Sequence, residues 1–176
     1  TAYPAGHCLG SAMLLADDGV RTLLYTGDFK LDPSATSEPC ELPHADVLVM
    51  ESTFGRPHYR LPPRRAVVAQ MLDLVHAALA AGKTPVVHAY PLGKSQEVTK
   101  LLTQNGVPVL QHPVVFEISQ IYERCGIDLG DFACFVGEPL AGHVVVTLPK
   151  SAKRFRLPSL GRTVSIAVTG WAMDAS

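Results

Sequence analysis

The chain has 176 residues, with 15 basic and 16 acidic side chains, a formal net charge of −1, and 47% hydrophobic against 18% charged residues. This is a globular composition that excludes global disorder, and the length is enough to bury a core. No apolar run reaches the length of a membrane span, because Arg21, Asp28 and Lys30 interrupt the early hydrophobic stretch. The first residues lack the basic and apolar regions of a signal peptide. Cys8, Cys40, Cys125 and Cys134 form no CxxC pair, so the expectation is a cytoplasmic protein with reduced thiols and no membrane.

In chain order, Ala12–Ala16 and Thr22–Thr26 read as short strands joined at Asp17-Asp18-Gly19, a hairpin signal. After a polar loop, residues 46–51 (DVLVME) read as a buried strand ending on a carboxylate. Pro62-Pro63 opens a helix from Arg64 to Ala81, with Val67/Val68, Met71/Leu72, Val75 and Leu79 at helical spacing and Gly82 as its stop. Thr84–Ala89 reads as a buried strand. Gly93-Lys94-Ser95 leads into a helix through Thr103, closed by Asn105-Gly106. Val107–Gln111 is a strand, Val114–Arg124 a helix, and His143–Leu148 and Val164–Thr169 are two further β-branched runs. Strand–helix alternation after residue 60 implies a parallel α/β layer, and the hairpin-rich first part meets it near Gly55–Pro63.

Charge is divided unevenly. Residues 1–51 carry two basic and eight acidic side chains, a net of −6, and residues 52–176 carry thirteen and eight, a net of +5. Arg56, Arg60, Arg64 and Arg65 form one acid-free cluster, and Lys150, Lys153, Arg154, Arg156 and Arg162 another. Such clusters attract phosphate backbones; an ordinary solvated surface also carries them.

Three residues of the acidic part have metal chemistry. His7 sits in a small-residue loop ahead of a strand, Asp28 just past a strand, and Glu51 at the end of another. Polar groups at strand ends converge readily, imidazole and carboxylate suit zinc or manganese, and a carboxylate can bridge two metals. Taken singly, each is as well explained by a turn or a cap. Gly93-Lys94-Ser95 at a helix start could hold a phosphate through free N–H groups and the lysine, or be a plain strand-to-helix turn; the spacing is not that of a Walker motif. His88, inside an apolar run, reads as a core or strand-end histidine. His58 and Tyr59, beside Arg56 and Arg60, suit contact with a strand end or a solvated loop.

The successive segments GHCLGSAMLL, LLYTGDFK and VLVMESTFG, with the helix-leading LGKSQE, resemble the motifs of the β-CASP branch of the metallo-β-lactamase fold, whose members are nucleases acting on DNA or RNA. The run from TGDFKLDP to GRPHYR is similar to the bacterial DNA-ligase-associated exonucleases and to RNA 3′-end processing factors. The resemblance implies an α/β protein with part of a metallo-β-lactamase αββα sandwich over residues 1–60. A β-CASP parallel α/β domain, incomplete at its C-terminal end, would follow over 61–176. It implies His7 as a ligand of one metal, Asp28 as the carboxylate bridging two, and Glu51 as an acidic residue supporting the site. Asp28 and Glu51 would be the catalytic carboxylates, the cofactor zinc with manganese an option, and Gly93, Lys94 and Ser95 the contact to substrate. Its partners would be nucleic acid and, by the same resemblance, a DNA ligase or other repair or processing proteins.

The family builds most of its metal site from an upstream HxHxDH motif and downstream histidines. This chain has no HxH, and His112 and His143 match neither downstream histidine. The expectation is therefore an internal segment of a nuclease, inactive alone. A small-molecule metallohydrolase of the same fold and a non-catalytic nucleic-acid-binding module are the competing readings.

Overall fold

The computed structural model describes residues 1–138, 140–150 and 160–171. The chain divides into two compact units, Thr1–Tyr59 and Arg60–Ser176. Together they carry nine strands and three helices among the described residues, an α/β protein.

The first unit is a four-stranded sheet in the order β1-β2-β3-β4, formed by β1 (Ala2–Pro4), β2 (Ala12–Asp17), β3 (Thr22–Tyr25) and β4 (Val47–Val49). The hairpin lies where the Asp-Asp-Gly signal put it: β2 and β3 run antiparallel with Leu14 opposite Tyr25 and Asp17 opposite Thr22. The turn is tied by its own acids, since Asp17 accepts the N–H of Gly19 and Asp18 those of Val20 and Arg21. β3 and β4 are parallel, which requires a long crossover, here the loop 26–46. That loop supplies Phe29, Cys40 and Ala45, which pack with Tyr3 and Leu15 around buried Ala5, Met13 and Leu24.

Two expectations are corrected here. The apolar run 46–51 is not a buried strand: β4 holds only three residues, all exposed, and Glu51 lies beyond it. A continuous apolar run signals burial on both faces only where both faces are covered. The strand β1 is additional, recruited by pairing Tyr3 with Met13.

The second unit is a five-stranded, all-parallel sheet in the order β7-β6-β8-β5-β9. Its strands are β5 (Thr84–His88), β6 (Val109–Gln111), β7 (Phe132–Cys134), β8 (Val144–Thr147) and β9 (Thr163–Ala167). Its helices are α1 (Arg64–Ala80), α2 (Lys94–Gln104) and α3 (Pro113–Arg124). Pro63 precedes α1, a position where its missing N–H costs nothing. Gly82, at φ +63°, ends the helix by donating to the Leu79 carbonyl at 3.0 Å. The buried stripe of α1 is Met71, Val75 and Ala78, and Val67 stands in solvent, so the stripe is narrower than the sequence pattern implied.

All three helices lie on one face of this sheet. Met71 and Val75 of α1, Val98 and Leu102 of α2 and Val115 of α3 share a core with Val87, Val109, Val144, Val146 and Ile166 from the strands. On the opposite face Val86, Leu110 and Val145 are buried with Phe135. Burial on both faces explains why these strands read as unbroken aliphatic runs. β7, which the sequence pattern did not separate from its loop, joins the edge by pairing with β6.

Candidate functional site

His7, Asp28 and Glu51 come from three loops at the ends of strands of the first unit. The His7 loop is held by Ser11, whose hydroxyl oxygen accepts the N–H groups of His7 at 3.1 Å and Cys8 at 3.2 Å, while the Ser11 carbonyl accepts from Ala5 N–H at 2.8 Å. Gly6 has φ +72°, and a Cβ there would run into the Lys30 carbonyl and against Cys40. Glycine is therefore required where this loop crosses the Asp28 segment. The two loops are joined by the Lys30 N–H donating to the Ala5 carbonyl at 2.9 Å.

Glu51 is attached to the same segment. Its carboxylate accepts the Phe29 N–H on one oxygen and the Thr53 N–H on the other, each at 3.4 Å. Hydrogen bonding from Thr53 holds the Glu51 carboxyl below its ordinary range, partial burial opposes this, and Phe29 and the nearby His7 lower it further. Burial raises the Cys8 thiol, a hydrogen bond from Ser11 opposes this, and the charges of Glu38 and Asp28 add to the rise. Glu51 thus feels His7, and the residue next to His7 feels Asp28. His7 and Asp28 are exposed and Glu51 is half-buried.

Glu38 joins this neighbourhood, its carboxylate accepting the Gly10 N–H at 3.1 Å. Sequence reasoning missed it, and only its place in the long acidic loop pointed to it. Among the described residues no group of three His, Cys, Asp or Glu side chains is arranged to hold a metal ion. The donors present, one imidazole and one potential bridging carboxylate with a third acid in support, fall short of the three protein ligands of a catalytic zinc. They do not make a complete centre.

Gly93, Lys94 and Ser95 belong to the second unit, at the start of α2. Ser95 is fully buried, and its N–H and hydroxyl both donate to the Tyr90 carbonyl, at 3.1 and 2.8 Å. The Lys94 N–H donates to the Leu92 carbonyl at 2.9 Å. The Lys94 ammonium lies 3.1 Å from Glu97, whose other oxygen takes the Arg64 guanidinium at 2.8 Å. These backbone donors are therefore committed inside the unit, and the lysine side chain is what reaches solvent. His88 ends β5, one imidazole nitrogen 3.0 Å from the Leu148 carbonyl and the other 3.4 Å from the Ser165 hydroxyl. His58 and Tyr59 pack ring to ring at 4.1 Å, with Phe54 edge-on to Tyr59 at 5.2 Å. No described helix is long and apolar enough to cross a membrane.

No protein-family model matches the chain. Among curated proteins, 175 of its residues are 40% identical to the "Probable DNA ligase" of Opitutus terrae, covering 99% of this chain and 17% of that protein. It is 30% identical over 132 residues to the transcription termination factor FttA of Pyrococcus horikoshii, covering 69% of this chain and 20% of the relative. It is 33% identical over 131 residues to the endoribonuclease YSH1 of Candida albicans, covering 71% and 15%. The chain thus spans about a fifth or less of the length of these relatives. With them, the chain belongs to the β-CASP family.

Proposed function

We propose that the chain is part of a metal-dependent nuclease that hydrolyses phosphodiester bonds of DNA or RNA. In this reading residues 1–60 are part of a metallo-β-lactamase domain and residues 61–176 its β-CASP domain. The observation that supports it is that the loops bearing His7, Asp28 and Glu51 are tied to one another through the Lys30–Ala5 and Phe29–Glu51 hydrogen bonds. The relatives support the chemistry, since an endoribonuclease and an RNase are among them.

His7 and Asp28 are ligands contributed to a zinc or manganese centre whose other ligands lie outside these residues, so the chain alone is inactive. A metal bound there supplies Lewis acidity toward a phosphate and an activated water. Glu51 holds the Asp28 loop in place through the Phe29 N–H and keeps its negative charge beside His7. At the start of α2, Gly93 and Ser95 set the helix and Lys94 is the group that meets a phosphate. The likeness to a DNA ligase over nearly the whole chain supports a ligase as partner, in the same polypeptide or a separate one. Four free thiols suit the cytoplasm.

The incomplete ligand set favours one other reading, a nucleic-acid-binding module without catalysis. A cleavage assay separates the two. The complete polypeptide that carries this chain should cut single-stranded or duplex DNA or RNA, and Asp28→Ala should abolish cutting. Undiminished cleavage by Asp28→Ala contradicts the site, and absence of cleavage in the unaltered protein leaves the binding module as the better account.

A further inference from the structure

β7 stands at the end of the parallel sheet and pairs with β6 alone. Along such a strand, alternate residues turn their N–H and C=O groups toward the neighbour. The Asp131 carbonyl accepts the Val109 N–H at 3.1 Å, and the Phe135 N–H donates to the Gln111 carbonyl at 2.7 Å. Phe132 and Cys134 alternate with these and turn outward. Their backbone groups have no hydrogen-bond partner among the described residues. An open row of this kind is a template for an added strand.

Beside this edge, between α3 and the start of β7, lies an open cleft of about 470 Å³ lined by Phe116, Gln120, Glu123, Arg124, Gly130 and Phe132. The rings of Phe116 and Phe132 meet edge to face with centroids 5.7 Å apart, so they give the cleft an apolar side. Its walls are fixed from within the unit. The Glu123 carboxylate accepts the Leu129 N–H at 2.6 Å, and the Leu129 carbonyl accepts the Thr103 hydroxyl at 2.6 Å. Gly130, at φ +80°, sits so close to Thr103 that a Cβ would collide with that side chain. The cleft is thus formed before anything enters it, and it suits an apolar side chain carried by a strand laid along β7.

Charge decides what kind of strand fits. Residues 113–138 carry Glu117, Glu123, Asp128, Asp131 and Glu138 against Arg124 alone, a net of −4, and all six are exposed. The rest of residues 52–176 has a net of +9. This side of the unit repels phosphate, and a second copy laid edge to edge would bring the same acids together. We propose that the β7 edge and its cleft bind an extended, basic segment of a partner protein. The segment adds a strand through the outward groups of Phe132 and Cys134, seats an apolar side chain against Phe116 and Phe132, and sets its lysines or arginines among these acids.

The probe is a labelled peptide of four Lys-Val repeats, which alternates as a half-buried strand does, titrated into the 176-residue chain. Anisotropy should show saturable binding, and amide NMR shifts should change around Phe116, Phe132 and Cys134. The same peptide methylated at its backbone nitrogens keeps its charge and side chains but cannot donate, and it should bind about tenfold more weakly or worse. Cys134→Pro removes an outward donor and no bond to β6, and should weaken binding by a similar factor. Asp131→Lys should weaken it too, and a peptide of four Glu-Val repeats should bind far less than the basic one. Equal binding by the methylated peptide overturns the added strand, and this reading needs no altered protein, so it stands even where Cys134→Pro does not fold. Shifts confined to another surface, displacement of the peptide by oligo(U), or absence of binding overturn it as well.

Discussion

In the unit beginning at Arg60, both faces of the sheet are packed: twelve buried side chains form the helix-side core, and Val86, Leu110 and Val145 are buried on the other face. In the unit Thr1–Tyr59 one face is packed, over Ala5, Met13 and Leu24. On its other face Leu14, Tyr25 and Val49 lie side by side, as do Ala16, Leu23 and Val47, and all are exposed. The second unit draws its stability from dispersed apolar burial. The first holds its loops, including those bearing His7, Asp28 and Glu51, largely through hydrogen bonds from side chains to backbone. The contrast teaches where each should be vulnerable: the parallel unit to cavities, the site-bearing unit to backbone collisions and to loss of its carboxylate charges.

The largest effect belongs to the packed core. Leu102→Ala, at a fully buried position, should cost ~2–5 kcal/mol in urea unfolding. The matching deletion on the open face, Leu14→Ala, should change stability by no more than ~0.5 kcal/mol. Comparable losses from both would show that the open face is covered in solution and would break the comparison.

Next is the loop crossing. Gly6→Ala should destabilise the first unit by more than ~1 kcal/mol, because alanine tolerates neither the positive φ nor the Lys30 carbonyl. Amide NMR shifts should change at His7 and Lys30 and stay fixed in the second unit. Unchanged shifts at those two residues would contradict the packing of the loops.

Acid should separate the units by mechanism. The N–H groups of Arg21 and Val20 hold the Asp18 carboxyl low, and the N–H and hydroxyl of Thr22 do the same for Asp46. Folding favours the charged forms, so the unfolded chain binds protons first, and this support is lost as pH falls below the ordinary carboxylate range. Asp46→Asn should flatten that acid limb, read by amide exchange in β3 and β4. Burial lowers the His112 imidazole, so the second unit should start to lose stability at higher pH, from the ordinary histidine value downward. A first unit that loosens above the second on acidification would reverse the assignment.

The smallest effect is expected at the triad. Arg64→Ala should cost ~1 kcal/mol or less, because the pair is partly exposed and Lys94 still faces Glu97. Thermal unfolding checks this, and a loss equal to that of Leu102→Ala would mean that Glu97 depends on Arg64 alone.

Much of the parallel unit was legible because it is self-contained. Helical spacing at Met71 and Val75, the Asn105-Gly106 stop and the aliphatic runs of β5, β6 and β8 all encode local choices that the packing supports. β7 was not, since Phe132–Cys134 becomes a strand only by pairing with β6. The run 46–51 misled because its apolar residues describe a face that the described residues leave open. At the candidate site, the motif resemblance named His7, Asp28 and Glu51, and the structure ties their loops through the Lys30–Ala5 and Phe29–Glu51 hydrogen bonds. The commitment of the Lys94 and Ser95 donors to Leu92 and Tyr90, and the Arg64–Glu97 pair 33 residues apart, depend on tertiary placement and leave no local pattern.

The most direct test of the account is the metal content of the complete polypeptide carrying this chain, compared with His7→Ala, Asp28→Ala and His88→Ala. If the first unit supplies the ligands, the first two variants lose bound zinc or manganese and His88→Ala retains it. Full metal content in His7→Ala and Asp28→Ala, or its loss in His88→Ala, would contradict the assignment.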